Sequence, residues 1–259
     1  MIFYSPTDGE AHTVRIEYHP RTCFVMTKLG DPIPPEVIEI RSRLATIFSD
    51  KGINIIDAND EITGKDFLLK IWHMLLSVPL GIAIISRDMD HQTFANIFYE
   101  IGLMQPYGKE ILIIKTADAP FPSDFVRTEY IEFAKDFEKK ITKFIKSFFK
   151  LAEHYKFMAV QLENNPLLEI DYLKRAYLIS GEKAYREEAY KIFEKAQIKG
   201  RAKNSVEKIL ADWCIPQESL RQEGKGENQT PALIPVRMQS TISLKPPQFY
   251  GGGEGLDKI

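Results

Sequence analysis

Cysteine is scarce: Cys23 and Cys214 are the only two in 259 residues. That excludes both a disulfide framework and a cysteine-based zinc site. No apolar stretch approaches the ~20 residues a bilayer span requires. The opening residues MIFYSPTDGEAHT lack the basic start and apolar middle of a secretory signal, so the expectation is a cytoplasmic protein. The five histidines (12, 19, 73, 91 and 154) show no metal-ligand spacing, and no metal site is expected. Neither GxGxxG nor GxxxxGK[ST] occurs, which argues against a dinucleotide-binding dehydrogenase or a P-loop NTPase. A GxSxG nucleophile elbow is also missing.

What the chain has is an ordinary globular balance, 44% hydrophobic and 27% charged. Its formal net charge of −2 hides an uneven distribution. Residues 1–133 carry 12 Lys/Arg against 19 Asp/Glu, and residues 134–215 carry 17 against 12. An acidic first half suits a sugar or cationic substrate and disfavours a nucleic-acid backbone as partner. The basic second half reads first as a solvated helix face, with contact to an anionic partner as the alternative.

Along the first half, strand and helix signals alternate. Arg21–Lys28 holds a short apolar run, followed by a helical stripe over Glu36–Lys51 that stops at Gly52. A β-branched run at Ile53–Ile56 ends at Asp57. Lys65–Ser77 is again helical in period, and Leu80–Ile85 reads as a strand buried on both faces. A helix over about Gln92–Gln105 and strands at Glu110–Ile114 and Tyr130–Phe133 complete the pattern. These alternations predict an α/β fold, a flavodoxin-like or TIR-like parallel sheet of about five strands. Residues 1–20 read as an N-terminal β-hairpin extension around Asp8-Gly9. From Ala134 the pattern is wholly helical, with further helices expected at 166–180, 182–199 and 203–214. Residues 216–259, rich in glycine and proline towards the end, read as a flexible tail.

In an open parallel sheet the ligand crevice lies beyond the carboxyl ends of the strands. The residues delivered there are Thr27, Lys28 and Gly30 from the first strand, Asp57 and Asp60 from the second, and Ser86, Arg87 and Asp88 from the third. The helix that follows brings Asn96 and Glu100, four residues apart and therefore on one stripe. Carboxylates dominate this mouth. Glycosidic cleavage is the reaction that carboxylates run unaided, because its oxocarbenium-like transition state is stabilised or trapped by an anion. In a nucleoside or in NAD the nitrogen-linked base is already a fair leaving group, so one well-placed glutamate and groups holding the ribose can suffice.

The stretch IAIISRDMDHQTFANIFYEIGLMQPYGKEILII, residues 82–114, resembles the strand–loop–helix–strand core of nucleoside 2-deoxyribosyltransferase-like proteins and related bacterial Toll/interleukin-receptor (TIR)-like domains. The shared motif is Asn-x-x-x-Glu-x-Gly, here Asn96 to Glu100 and Gly102. CFVMTKLGD (23–31) resembles the first strand and ligand-contacting loop of that group, and PFPSDFVRTEYIEF (120–133) its last segment. The likeness spans about 21–133. It implies Glu100 as catalytic carboxylate, Asp88 as a pocket acid and Asn96 as a pocket-lining polar group. Many relatives carry Asp followed by Ser or Thr directly after the third strand, whereas this chain reads Ser86-Arg87-Asp88.

Each of these residues also has a plainer reading. Glu100 could be a surface acid paired with Lys109, Asp57 a turn-former, Asp88 a first-turn helix acid, and Lys28 and Arg87 ordinary loop cations. Tyr99 reads as a packing residue before a base-stacking one, and Trp72 and His73 as buried helix residues without a role. The resulting expectation is an N-glycosidase acting on NAD or a related nucleotide or nucleoside, with no cofactor beyond NAD as substrate. By resemblance it would be a homo-oligomer in antiviral defence or signalling, activated by a ligand or protein partner through 134–215. The alternative is a nucleotide-sensing or scaffold module of the same fold without turnover.

Overall fold

A computed structural model of the chain describes Tyr4, Gly9 and residues 16–59, 67–122 and 129–196. Five strands alternate with helices: β1 (Thr22–Met26), α1 (Pro35–Asp50), β2 (Asn54–Ile56), α2 (Phe67–Ser77), β3 (Leu80–Ile85), α3 (His91–Met104), β4 (Glu110–Lys115) and β5 (Tyr130–Glu132). Three helices follow, α4 (Phe137–Gln161), α5 (Pro166–Ser180) and α6 (Lys183–Lys195). The strands form one parallel sheet in the order β2-β1-β3-β4-β5.

Side-chain alternation splits the apolar strands between two cores, which is why they read as continuous apolar runs. Cys23 and Val25 of β1, Leu80, Ile82 and Ile84 of β3, and Leu112 and Ile114 of β4 face one side. That side is covered by Val37, Ile40, Leu44 and Phe48 of α1 and by Phe137, Ile141, Ile145, Phe148 and Ala152 of α4. Phe24, Met26, Ala83, Ile85 and Ile113 face the other side, under Ile71, Met74 and Leu75 of α2 and Ile97, Ile101 and Met104 of α3. Each fully buried side chain of this size contributes about 2–3 kcal/mol of transfer free energy. A Cβ at Gly81 would lie 2.5 Å from Met104 Sδ, so the glycine makes room for α3 against β3.

The change of pattern at residue 134 marks a change of element type within a continuous core. The first half of α4 lies on the sheet, and only beyond it do Ala159, Ile170, Leu173, Tyr177, Leu178 and Ala189 make a cluster of their own among α4, α5 and α6. Arg21, at φ 51°, ties the parts together. Its backbone N–H donates to Leu178 O (2.8 Å) and its guanidinium to the carbonyls of Lys51, Gly52 and Ser180. The guanidinium carbon also sits 4.8 Å from the centre of the Phe149 ring. Gly52 and Gly181, both at positive φ, lie against this side chain, and a Cβ on either would approach it to 3.1 and 3.0 Å.

Two expectations change. Thr13–Tyr18 was expected to be a strand of the N-terminal hairpin, but its described part, Ile16–Tyr18, is irregular. Ile16 is anchored by packing with Trp72 and Leu76 rather than by strand pairing. The last helical residue before 197 is Lys195, short of the expected 199. The rest of the hairpin, the helix at 203–214 and the tail 216–259 lie outside the described residues, as does Asp60. No helix among the described residues is long and apolar enough to cross a membrane.

Candidate active site

With β2 on one side of β1 and β3 on the other, the connections out of β1 and β3 diverge, and the crevice of an open sheet falls at that point. Thr27, the residue after β1, is 8% exposed, and its Oγ1 is buried with no hydrogen-bond partner among the described residues. An orphaned buried hydroxyl costs about 1–3 kcal/mol. Ser86, after β3, is fully buried, and Asp88 N–H donates to its Oγ at 3.4 Å. Arg87 N–H donates to Oγ1 of the buried Thr116 at the end of β4 (3.2 Å). These hydroxyls form the floor of the carboxyl edge.

The charged residues around them divide into paired and unpaired groups. Asp57 is 6% exposed and ion-paired with Arg41 of α1, and it accepts Asn59 N–H at 2.8 Å. Its carboxylate thus closes the β2 turn and neutralises a cation. Asp88 is an exposed acid, its side chain 59% accessible and 3.6 Å from Arg87 Nε. Lys28 Nζ lies 3.9 Å from Asp90 Oδ2, joining the loops after β1 and β3. Gly30 has open space around it, so nothing approaches it closely.

Asp90 is a residue that the sequence reading passed over. It caps α3, accepting Thr93 N–H (2.8 Å) and Oγ1–H (2.9 Å), and these bonds hold its carboxyl below its ordinary value. The Asp-x-x-Thr spacing at 90–93 was the available signal. Thr116, also passed over, carried no signal, because a threonine at a strand end has none without the sheet.

Glu100 is the tenth residue of α3, about 14 Å of rise below the helix start. Phe94 and Phe98 define one flank of the helix, with Phe98 against Phe121 at 6.2 Å and Phe121 against Tyr130 of β5 at 5.4 Å. At 100° per residue Glu100 lies on the opposite flank, together with Asn96 and Leu103. Leu103 packs onto the Trp72 and Leu76 cluster of α2, so this flank turns towards α2 and away from β5. Burial pushes the Glu100 carboxyl up to about 7, and it makes no ion pair or hydrogen bond to another described residue. Lys109, the suspected surface partner, instead donates to Leu76 O. Asn96 is exposed higher on the same flank.

Thr27, Ser86 and Asp88 therefore gather at the rim, Asn96 stands beside it, and Glu100 sits farther down, between α3 and α2. A ligand would have to reach between those two helices to meet Glu100. No group of three or more His, Cys, Asp or Glu among the described residues could hold a metal. No protein-family model matches the chain, and no curated protein matches it significantly.

Proposed function

We propose that the chain is an N-glycosidase that cleaves the base–ribose bond of NAD or a related nucleotide or nucleoside, with Glu100 as its catalytic carboxylate. One observation carries most of the reading: a largely buried glutamate on the α2-facing flank of α3, below the carboxyl edge of a parallel sheet, whose carboxyl burial pushes up to about 7 and which has no cation paired with it among the described residues. Perturbed carboxylates of this kind concentrate at functional sites. The strand order β2-β1-β3-β4-β5 supports a flavodoxin-like or TIR-like arrangement, to which α4, α5 and α6 add a helical part serving assembly.

In this mechanism the electron pair of the C1′–N bond leaves with the base. Nicotinamide departs neutral, because its ring is cationic in NAD, and needs no proton. The Glu100 carboxylate stabilises or traps the electron-poor C1′, and water then supplies the oxygen while its proton passes to the carboxylate and on to solvent. In this reading the Thr27 hydroxyl, Ser86 and Asn96 would hold ribose hydroxyls, which requires the sugar to reach down between α2 and α3 towards Glu100. Lys28 and Arg87 at the rim suit the phosphates, and Asp88 is a second acid at the mouth.

The test is incubation of concentrated, assembled protein with NAD and with deoxynucleosides, following free base for the native chain and for Glu100→Gln. Base released by the native chain and lost in the variant is the expected result. Equal release by both removes Glu100 from the mechanism. The depth of Glu100, and the commitment of Asp57 to Arg41, favour a second reading as a nucleotide-sensing or scaffold module. Binding of the nucleotide without base release from the assembled protein selects it.

A further inference from the structure

The opposite edge of the sheet holds a cavity of about 40 Å³ between the amino ends of β3 and β4 and the helix α5. Its chemistry comes from a short motif on α5, Asp171-x-x-Lys174-Arg175, which places one carboxylate and two cations on one face at helical spacing. Asp171 Oδ1 is 3.6 Å from Lys174 Nζ, and Arg175 Nε donates to Asp171 Oδ2 at 3.2 Å. Lys174 is only 6% exposed, with its ammonium 3.4 Å from the Tyr18 hydroxyl. From the β4 side comes Lys109, whose ammonium donates to Leu76 O at 2.6 Å, leaving its two other protons for the cavity. Tyr155 closes the wall beside Glu110 and Arg175.

Three cationic side chains thus line a half-open cavity whose described wall carries two carboxylates, Glu110 and Asp171. Glu110 is held by the Tyr155 hydroxyl, and its desolvation raises its pKa, which favours the uncharged form. Asp171 is already shared by Lys174 and Arg175. Like charges brought together out of water repel strongly, and they relax by losing a proton or by taking up an anion. The cavity has room for the second route: 40 Å³ accommodates a few water molecules or one small oxyanion, not a whole nucleotide. Arg175 gives its Nε–H to Asp171 and is bonded to the Tyr155 hydroxyl, so its remaining N–H groups and the two ammonium groups are the donors that would meet a tetrahedral oxyanion.

We propose that this cavity is a phosphate-binding site, separate from the carboxyl edge and independent of any role for Glu100. Lys109 and Arg175 supply the main contacts, with Lys174 as the charge behind them. The bound group is either inorganic phosphate or the terminal phosphate of a small metabolite whose remainder lies outside the cavity.

Calorimetric titration of the full chain at fixed ionic strength tests this, with inorganic phosphate, ribose 5-phosphate and acetate as three arms against a chloride background. Saturable binding of phosphate, at least tenfold tighter than acetate, is expected. Tighter binding of ribose 5-phosphate than of phosphate identifies an organic source, and the reverse identifies the free ion. Lys109→Met and Arg175→Met should each weaken binding at least tenfold, while Lys139→Met on α4 should leave it unchanged. Arg175→Lys keeps the charge and tests the fork if Arg175→Met fails to fold. Phosphate binding no tighter than acetate binding overturns the proposal, and so does full affinity in folded Lys109→Met and Arg175→Lys variants.

Discussion

Below the carboxyl edge, on the flank of α3 that turns towards α2, Glu100 is a desolvated acid, and at the amino edge Lys109 is one of three cations around Asp171. Both groups are driven towards about 7 from opposite ends of the scale. The main cause is the same for each, loss of water, and at Lys109 the repulsion of Lys174 and Arg175 adds to it. Among the described residues Glu100 has no compensating charge, whereas Lys109 has the wrong ones nearby. Lys174, buried more deeply, goes the other way. Burial would lower it, but Tyr18 and Asp171 carry it up. A buried charge in this fold is therefore set by what faces it, more than by depth alone.

The largest effect that would sharpen this comparison is catalytic. Glu100→Gln keeps the shape and removes the anion, and should lower base release by on the order of 10²–10³-fold, measured by nicotinamide production at saturating NAD. Unchanged turnover would leave the carboxyl edge with a buried acid of no catalytic use.

Arg41→Met removes the cation from Asp57 and makes that acid resemble Glu100. We expect destabilisation of about 2–3 kcal/mol in urea titration, since a nearly buried carboxylate loses its partner. A loss below about 0.5 kcal/mol would mean that the pair is solvated like a surface bridge.

The two edges should respond to pH with opposite sign. For Glu100 the folded-state value lies above its ordinary 4.5, so the penalty is absent below about 4.5, grows with pH and is complete above about 7. Glu100→Gln should thus nearly match the native chain at pH 4.5 and be clearly the more stable at pH 8. For Lys109 the folded-state value lies below its ordinary 10.5, so the penalty is complete below about 7 and fades as pH rises towards 10.5. Lys109→Met should be clearly the more stable at pH 6 in phosphate-free buffer and gain little near pH 10. Urea titrations across this range give both slopes, and parallel slopes would break the comparison.

The smallest effect is on the rate profile. In the proposed mechanism the reacting form of Glu100 is the anion, so turnover on NAD should climb about tenfold per pH unit below about 7 and level off above it. A profile flat from pH 5.5 to 8 would dissociate the reaction from this carboxyl.

The strands and the first four helices were legible because their apolar runs and stripes have the periods the sheet requires; Leu80–Ile85 coincides with β3 to the residue. The rim was legible too, as Thr27, Ser86 and Asp88 follow from strand ends alone. What stayed hidden depends on contacts across the chain. The partner of Asp57 is 16 residues away on α1, and the flank on which Glu100 lies is fixed by Phe98 meeting Phe121. The amino-edge cluster joins residues from 18 to 175, and no local pattern announces such a meeting.

The way α4 lies on the sheet also limits how the chain can be divided. Severing it after Phe133 would strip Phe137, Ile141, Ile145 and Phe148 from Cys23, Val25, Ile82 and Ile84, leaving a broad greasy surface in water. A fragment ending there would aggregate. A transplantable module must run at least through Ser180, where Arg21 makes its last tether, so the sheet cannot be carried over without the helices behind it.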